Sequence, residues 1–588
     1  MSLPAFSTQA ELFSTAGLSG QLFEATDRYR LFAQKVYPAL AQIRSQLEAC
    51  YCADNGRVAI EPVLLLGVSL WQYLEGVPDR QAVDMLHYHA GWNFALNRQV
   101  GDELFHPTTL VNFRQRLLDH DLSAIGFETV LEALVCAGLV ARQSRQRLDS
   151  TQMFGRVSRM SRLDCVRESL RLALEELAQE VKAEARPEGW SRLWDRYVDS
   201  QTDYRAPLET LTRKMVEAGA DAQQLLGWLT TPAAKELARG TQAQLLARVF
   251  SEQFEVVAAT GAAEPKTKEQ LGSERVQNPH EPEATYAVKG KGDQKKEHVG
   301  YKVQVAETVT ETVLAPGEPT DNFISGIVTH AARESDEEGA LKMEKEQQAM
   351  GLEKPPVQYV DAAYISTQEL MRAAAEGREL IGPSPGAASK SDERFCSDHF
   401  DVRVEQRKAL CPAGQQNSQC SRLEEQTRGK VSYRFEWSTE ACAKCLLRQP
   451  CIKSEHPHRT LVVGEHHSVL QGRRREQKTE PFKQRMKHRN AIEGTQSELV
   501  RAYGLRRARY RGLAKTRLQN YFAGAACNIL RSKWLALQFS SFFAYSAPLR
   551  GYSIVFYPAA LVVKRWLRRA AWELPSGLTA KLSTATAI

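Results

Sequence analysis

The sequence predicts an α+β multidomain protein, with a helical N-terminal domain ahead of a mixed-sheet core that helical and cysteine-rich insertions interrupt. Three observations carry this expectation. Apolar residues recur at helical spacing over residues 1–140, strand-like and helix-like runs alternate after residue 284, and cysteines gather late in the chain. At 588 residues the chain exceeds what one core can hold and should contain about three or four folding units.

Each element has its own reason. Within 1–140, EPVLLLGVSLWQYLEG (61–76) is apolar enough to be a buried helix, stopped by Gly76 and Pro78. In HPTTLVNFRQRLLDHD, Thr108 can cap a helix that turns Leu110, Phe113 and Leu117 inward and exposes Arg114 and Arg116. A turn followed by a capped basic helix fits a DNA reader, and a plain packed helix pair is the other reading. Residues 141–160 hold RQRLDSTQMF, a strand-like run around Asp149. Residues 161–283 form a helical insertion with a polar connector from 259. Residues 284–389 should form the core, with a hairpin turning near Gly290–Asp293 and a helix-like segment at 324–349. A strand at Val357–Val360 then ends in Asp361, and ELIGPSPG supplies another strand. A cysteine-rich insertion (390–465), basic helices (466–535) and a tail (536–588) follow.

Composition narrows the class. Hydrophobic content of 43% and charged content of 25% are those of an ordinary globular protein. The net charge is +7, yet residues 471–520 alone hold 15 Lys+Arg against 4 Asp+Glu, a balance of +11. A concentrated basic segment on a near-neutral body is the footprint of a polyanion-binding surface. No signal peptide is visible, and YSIVFYPAALVV (552–563) falls short of the ~20 residues that span a bilayer. A cytoplasmic, reducing compartment follows. There, six of the eleven cysteines falling between 396 and 451 favour metal over disulfides.

The run RNAIEGTQSELVRAYGLRRARYRGLAKTR (489–517) reads as helix-forming and basic, apart from Glu493 and Glu498. At 100° per residue the two glutamates stand about 140° apart, so they cannot face one metal site. Arg489, Glu493, Gln496 and Val500 share a side, and Glu498 turns toward Arg501. Asp149 in a strand, Asp361 where a strand meets a helix, and Glu493 on a helix make the set that hard divalent cations require. Asp321 is a rival carboxylate that a turn explains. Leu513, Leu518, Phe522, Ala525 and Ile529 make a buried stripe, leaving Arg506, Arg507, Arg509 and Arg511 for phosphates.

LDSTQM, YVDAAY and RNAIEGTQSELVRAYGLRRARYRGLAKTRLQNYFAGAACNIL together resemble the three catalytic blocks of bacterial insertion-sequence DDE transposases, which are ribonuclease H-like and retroviral integrase-like. The resemblance covers about residues 20–535 and includes the helical N-terminal domain and the cysteine-bearing insertion. PEATYAVKGKGDQKKEHVGYKVQVAET is similar to the family's second and third core strands. The resemblance implies that Asp149, Asp361 and Glu493 hold two Mg²⁺ ions, with Mn²⁺ an alternative, and that Arg489 contacts DNA. Where the family often has tyrosine and lysine, this chain has Met486 and Val500, which puts those two DNA-end contacts in doubt. The implied function is a transposase that binds terminal inverted repeats, cuts at the element ends and joins the 3′-hydroxyls to target DNA. A homodimer on double-stranded DNA, a nucleoid location and no membrane contact go with it. An inactive copy acting as a repressor, and a host nuclease on the same fold, stay as alternatives.

Cys411, Cys442, Cys445 and Cys451 include one CxxC pair at structural-zinc spacing. A zinc ribbon would carry two such pairs, so reduced structural cysteines are the competing reading.

Overall fold

The alternating run around Asp149 folds as β1 (Gln146–Phe154). It lies at the centre of a mixed sheet with β2 (Thr285–Lys289), β3 (Lys296–Thr308), β4 (Ile324–Ala331), β5 (Val357–Tyr359) and β6 (Glu379–Ile381). The sheet order is β2-β3-β1-β5-β6, and β4 also pairs with β3. Strand β3 runs antiparallel to β1, β2 and β4, whereas β5 lies parallel to β1 and β6 parallel to β5. This computed structural model describes residues 15–52, 58–99, 102–200, 206–290, 295–310, 322–384, 394–425, 430–452 and 456–543, with positions 3 and 386. Asp321 and the chain beyond 543 lie outside the described residues.

Two sequence expectations change here. The segment 324–349 is helical only in its second half (Asp336–Ala349), because ISGIVTHA is β-rich and buries nearly every residue in β4. The third strand of the antiparallel group is therefore β4. Strand β2 is a short addition that pairs with only the first part of β3.

The N-terminal helices share one hydrophobic core with the sheet and with the late helix Leu513–Phe543. Trp71, Phe113, Phe127, Tyr301, Phe323 and Phe522 are all buried in it. The apolar run 61–76 forms Pro62–Glu75, ended by Gly76 in the left-handed region at φ 68°. The expected stripe on the late helix is buried at Leu518, Phe522, Ala525 and Ile529, while Leu513 is half-buried. The insertion between β1 and β2 has its own core, in which Leu170, Leu174, Ala222, Leu246 and Val249 meet. In the cysteine-rich unit Gln419–Glu425, Lys430–Glu436 and Thr460–Gly464 pair antiparallel beside Phe400, Phe435 and Trp437.

The helix Thr108–Asp119 corrects two readings. Thr108 is its first residue rather than its cap, Pro107 preceding it without a side-chain capping bond. Arg114 is buried rather than exposed: it donates to Asp79 at 2.9 Å and lies over the Tyr510 ring at 5.5 Å. Its register on the helix turns it toward the neighbouring helix Asp79–Tyr88, which the exposed-face assumption missed. Arg116 is half-buried over the Tyr51 ring at 4.6 Å. Arg114→Ala should lower stability by about 2 kcal/mol, the scale of a hydrogen bond to a charged group. It should leave the salt dependence of DNA binding unchanged, and a shallower salt dependence would restore the surface role.

Candidate active site

Parallel pairing of β1 with β5 sets the position of the first two acids. Arg147 is in register with Tyr359, so two residues further on Asp149 comes level with Asp361 on the adjacent strand track. Neighbouring strands lie about 4.8 Å apart, which makes these carboxylates close neighbours. Asp361 stands just past the end of β5, where its carboxylate accepts the Ala363 N–H at 2.8 Å and opens a single helical turn, Ala362–Tyr364. Asp149 is buried and accepts the N–H of Ser150 at 2.8 Å. Burial pushes its carboxyl up to about 6; Arg489 opposes the shift, and Asp361 and Asp336 reinforce it.

The third acid arrives on a helix that crosses the sheet. Glu480–Ala502 is anchored where the Arg147 guanidinium donates to the His488 carbonyl at 3.1 Å and where Tyr359 meets the His488 ring at 5.4 Å. Arg489 on this helix donates to Asp149 at 3.0 Å and lies 3.6 Å from Glu493, one turn on. Its Nε is buried without a hydrogen-bond partner among the described residues. The Glu493 side chain is 69% exposed, and this arginine links it to Asp149. Glu498 faces away, as the helical spacing requires, but pairs with Arg531 at 2.7 Å rather than with Arg501.

Asp149, Asp361 and Asp336 all act on the buried Tyr364 hydroxyl and hold it well above its usual range, after burial itself. Asp361 and Asp336 also raise Asp149 itself, so negative charge gathers around that carboxylate. Among the described residues no three His, Cys, Asp or Glu side chains converge in metal-binding geometry, and Arg489 stands between two of the acids instead.

The basic segment departs from its helical expectation. The helix stops at Ala502, and Gly504 (φ 71°) and Gly512 (φ 93°) bracket a loop before Leu513. Left-handed glycines at both ends explain why the run cannot stay helical. The loop is pinned to the end of β1: Phe154 N–H donates to the Arg506 carbonyl at 3.0 Å, and Ala508 N–H to the Phe154 carbonyl at 2.8 Å. Arg506, Arg507 and Arg511 are exposed, and Arg509 is half-buried over the Tyr73 ring at 4.7 Å. Met486 packs beside Phe482 and Val500 against the main core.

Two participants were missed in the sequence. Asp336, in the first turn of Asp336–Ala349, is held by Lys302 at 3.2 Å and adds a fourth carboxylate near Asp149. Glu307 is fully buried beneath the site, where it accepts from Arg147, Arg531 and Thr495. An acid at the end of the otherwise apolar run VQVAE was the available signal.

In the cysteine-rich unit the Gln415 N–H donates to the Cys411 sulfur at 3.4 Å. Burial pushes the Cys451 thiol up to about 11; Arg459 opposes the shift, and Cys411, Cys442 and Cys445 add to it. All four are free thiols.

A three-strand antiparallel group extended by two parallel strands, with helical and cysteine-rich units around it, makes a mixed-sheet α+β core. The family described as transposase DDE domain matches residues 410–532, and the transposase domain (DUF772) matches residues 19–116. Both matches are to transposase families, and they support an insertion-sequence DDE transposase. The first match covers the cysteine-rich unit from Cys411 together with Arg489 and Glu493, but neither aspartate. No curated protein matches the chain. No helix among the described residues is long and apolar enough to cross a membrane.

Proposed function

We propose that the protein binds the terminal inverted repeats of its element, cuts the DNA at the element ends and joins the freed 3′-hydroxyls to target DNA. The observation that supports this best is the β1–β5 register that sets Asp149 level with Asp361, with Arg489 bridging to Glu493. Asp149, Asp361 and Glu493 would hold two Mg²⁺ or Mn²⁺ ions, whose chemistry is to activate an attacking oxygen and stabilise a leaving one in a phosphodiester. The chain's own residues do the rest. The low-dielectric wall around Asp149 strengthens every charge interaction there. Arg489 offers a guanidinium to the strand being cut, while Arg506, Arg507 and Arg511 on the pinned loop neutralise neighbouring phosphates. Two ends must be handled together, so the working form is a homodimer on double-stranded DNA, located at the nucleoid in the cytoplasm.

The test is a cleavage and strand-transfer assay on labelled element-end DNA, comparing the wild type with Glu493→Gln in Mg²⁺ and in EDTA. The expected result is retained binding with Mg²⁺-dependent cutting and joining both lost. Cutting by the variant at the wild-type rate would remove Glu493 from the site. Cutting without joining by the wild type would favour a nuclease.

The cysteine-rich unit is read as folded around one structural zinc on Cys411, Cys442, Cys445 and Cys451, a reading that rests on the CxxC spacing of Cys442 and Cys445. Its core is small, and units of this size commonly need such a staple. Purified protein should carry about one zinc per chain, and Cys442→Ser should lose it and become protease-sensitive between 394 and 464. A zinc-free preparation with the same protease resistance would count against the reading.

A further inference from the structure

The hinge where the helical insertion leaves the core sheet contains a second cationic feature, separate from the acids. A cavity of about 270 Å³ is lined by Arg159, Arg162 and Arg275 together with Ser161, Gln253 and Gln277. Ser161 caps the 19-residue helix Arg162–Glu180, accepting the Asp164 N–H at 3.2 Å, so the first amides of a long helix open beside these guanidiniums.

The arginines are held in place by neutral oxygens. Arg162 donates from Nε to the Gln253 side-chain oxygen at 2.8 Å and from Nη2 to the Gln253 carbonyl at 3.2 Å. Arg275 donates to the Gly272 carbonyl at 3.2 Å. Among the described residues neither Arg162 nor Arg275 pairs with a carboxylate, whereas Arg159 has an exposed partner in Glu297 at 3.4 Å. The acids that act on Cys165 in the cavity wall are already engaged: Glu252 by Arg248 and the Val276 N–H, Asp164 by the Ser161 hydroxyl. Burial, and then the neighbouring Arg275, push Arg162 below its usual range. Two guanidiniums that repel each other across a cavity, neither of them paired with a carboxylate among the described residues, are stabilised by an anion.

The surroundings point to which anion. Phe154, at the end of β1, is hydrogen-bonded to the Arg506 carbonyl and packs on the His298 ring at 4.9 Å. Arg506 also bears on His298, and Arg159 lies over the Tyr286 ring at 4.7 Å on the adjoining strand β2. A basic line therefore runs from the Arg506 loop through Arg159 into the cavity. Phe154 is five residues beyond Asp149, about 17 Å along a strand. One turn of duplex DNA spans ~34 Å, so a duplex seated at the acids reaches this line.

We propose that this cavity binds a backbone phosphate of the bound DNA, making the helical insertion part of the DNA grip; the proposal rests on the DNA-binding reading above. The test uses the full chain with Arg162→Gln and Arg275→Gln combined, and a variant with Arg506, Arg507 and Arg511 changed to Gln as reference. DNA affinity is followed by fluorescence anisotropy across a salt series, with thermal unfolding alongside. The expected result is about tenfold weaker binding and a log–log salt slope reduced by about one to two, with unchanged melting. Unchanged affinity and slope in the cavity variant, while the loop variant loses binding, overturns the cavity site alone. Absence of salt-dependent DNA binding by the wild type overturns both readings. Inorganic phosphate that stabilises only the wild type, with DNA affinity equal in both, also overturns it, because the cavity then takes free phosphate.

Discussion

Asp149→Asn should abolish cutting, by about a thousandfold or more, while making the protein more stable at neutral pH. The two effects share a cause. Burial raises the Asp149 carboxyl to about 6, against 3.8 for the ordinary side chain. A raised carboxyl means that the folded chain holds this proton more tightly than the unfolded chain does. The ionised, buried form is therefore a destabilising contribution at pH 7, fully present above about pH 6 and fading as the pH falls toward 4. The difference corresponds to roughly 3 kcal/mol, a net figure in which the pairing with Arg489 is already counted. Thermal unfolding at pH 7.5 should show the variant melting higher by a few degrees, with the gain shrinking toward pH 5. A variant that melts lower at pH 7.5, or that still cuts, would contradict this account of Asp149. Catalytic carboxylates kept in costly surroundings give this exchange of stability for activity.

Glu307→Ala should be the most destabilising of the single changes considered. Glu307 is fully buried and joins Arg147 on β1, Arg531 on the late helix and Thr495 on the helix that carries Glu493. Burial drives its carboxyl upward, but Arg531 and Arg147 outweigh that and hold it below the ordinary range. Its contribution is thus present at neutral pH and is lost as the pH falls through that lowered value. Removing the acid leaves the buried Arg147 without a counter-charge and Arg531 with Glu498 alone, a loss of about 3–5 kcal/mol. Urea unfolding at pH 7.5 measures it, and a midpoint equal to the wild type would show that the network is dispensable. The same change should lower Mg²⁺-dependent cutting more than DNA binding, because Arg147 and Thr495 hold the Glu493 helix against β1.

The local readings that held are those in which chemistry and periodicity coincide. The apolar run before Gly76, the strand around Asp149, the short strand ending at Asp361 and the divergence of Glu493 from Glu498 all follow from side-chain spacing. The spacing is fixed by backbone geometry at 100° or 180° per residue, so it is legible without partners. Misreadings occurred where a partner decides. Arg114 looked like a surface base until Asp79 and Tyr510 closed over it. The arginines 506–511 looked helical until the edge of β1 and two left-handed glycines drew them into a loop. Residues 324–331 looked helical until β3 offered them a ladder.

By itself, the sequence determined the order of helical, mixed-sheet and cysteine-rich segments and the basic character of the C-terminal part, and it singled out three candidate acids. Only the tertiary structure decided that Asp149 is level with Asp361, that Arg489 joins Asp149 to Glu493, and that Glu307 supports them from below. Those relations bring together residues that are 212 and 340 positions apart in the chain, in the case of Asp149 with Asp361 and with Arg489. Strand register and the crossing of a helix over a sheet arise from long-range packing, and no periodicity within a short window encodes them.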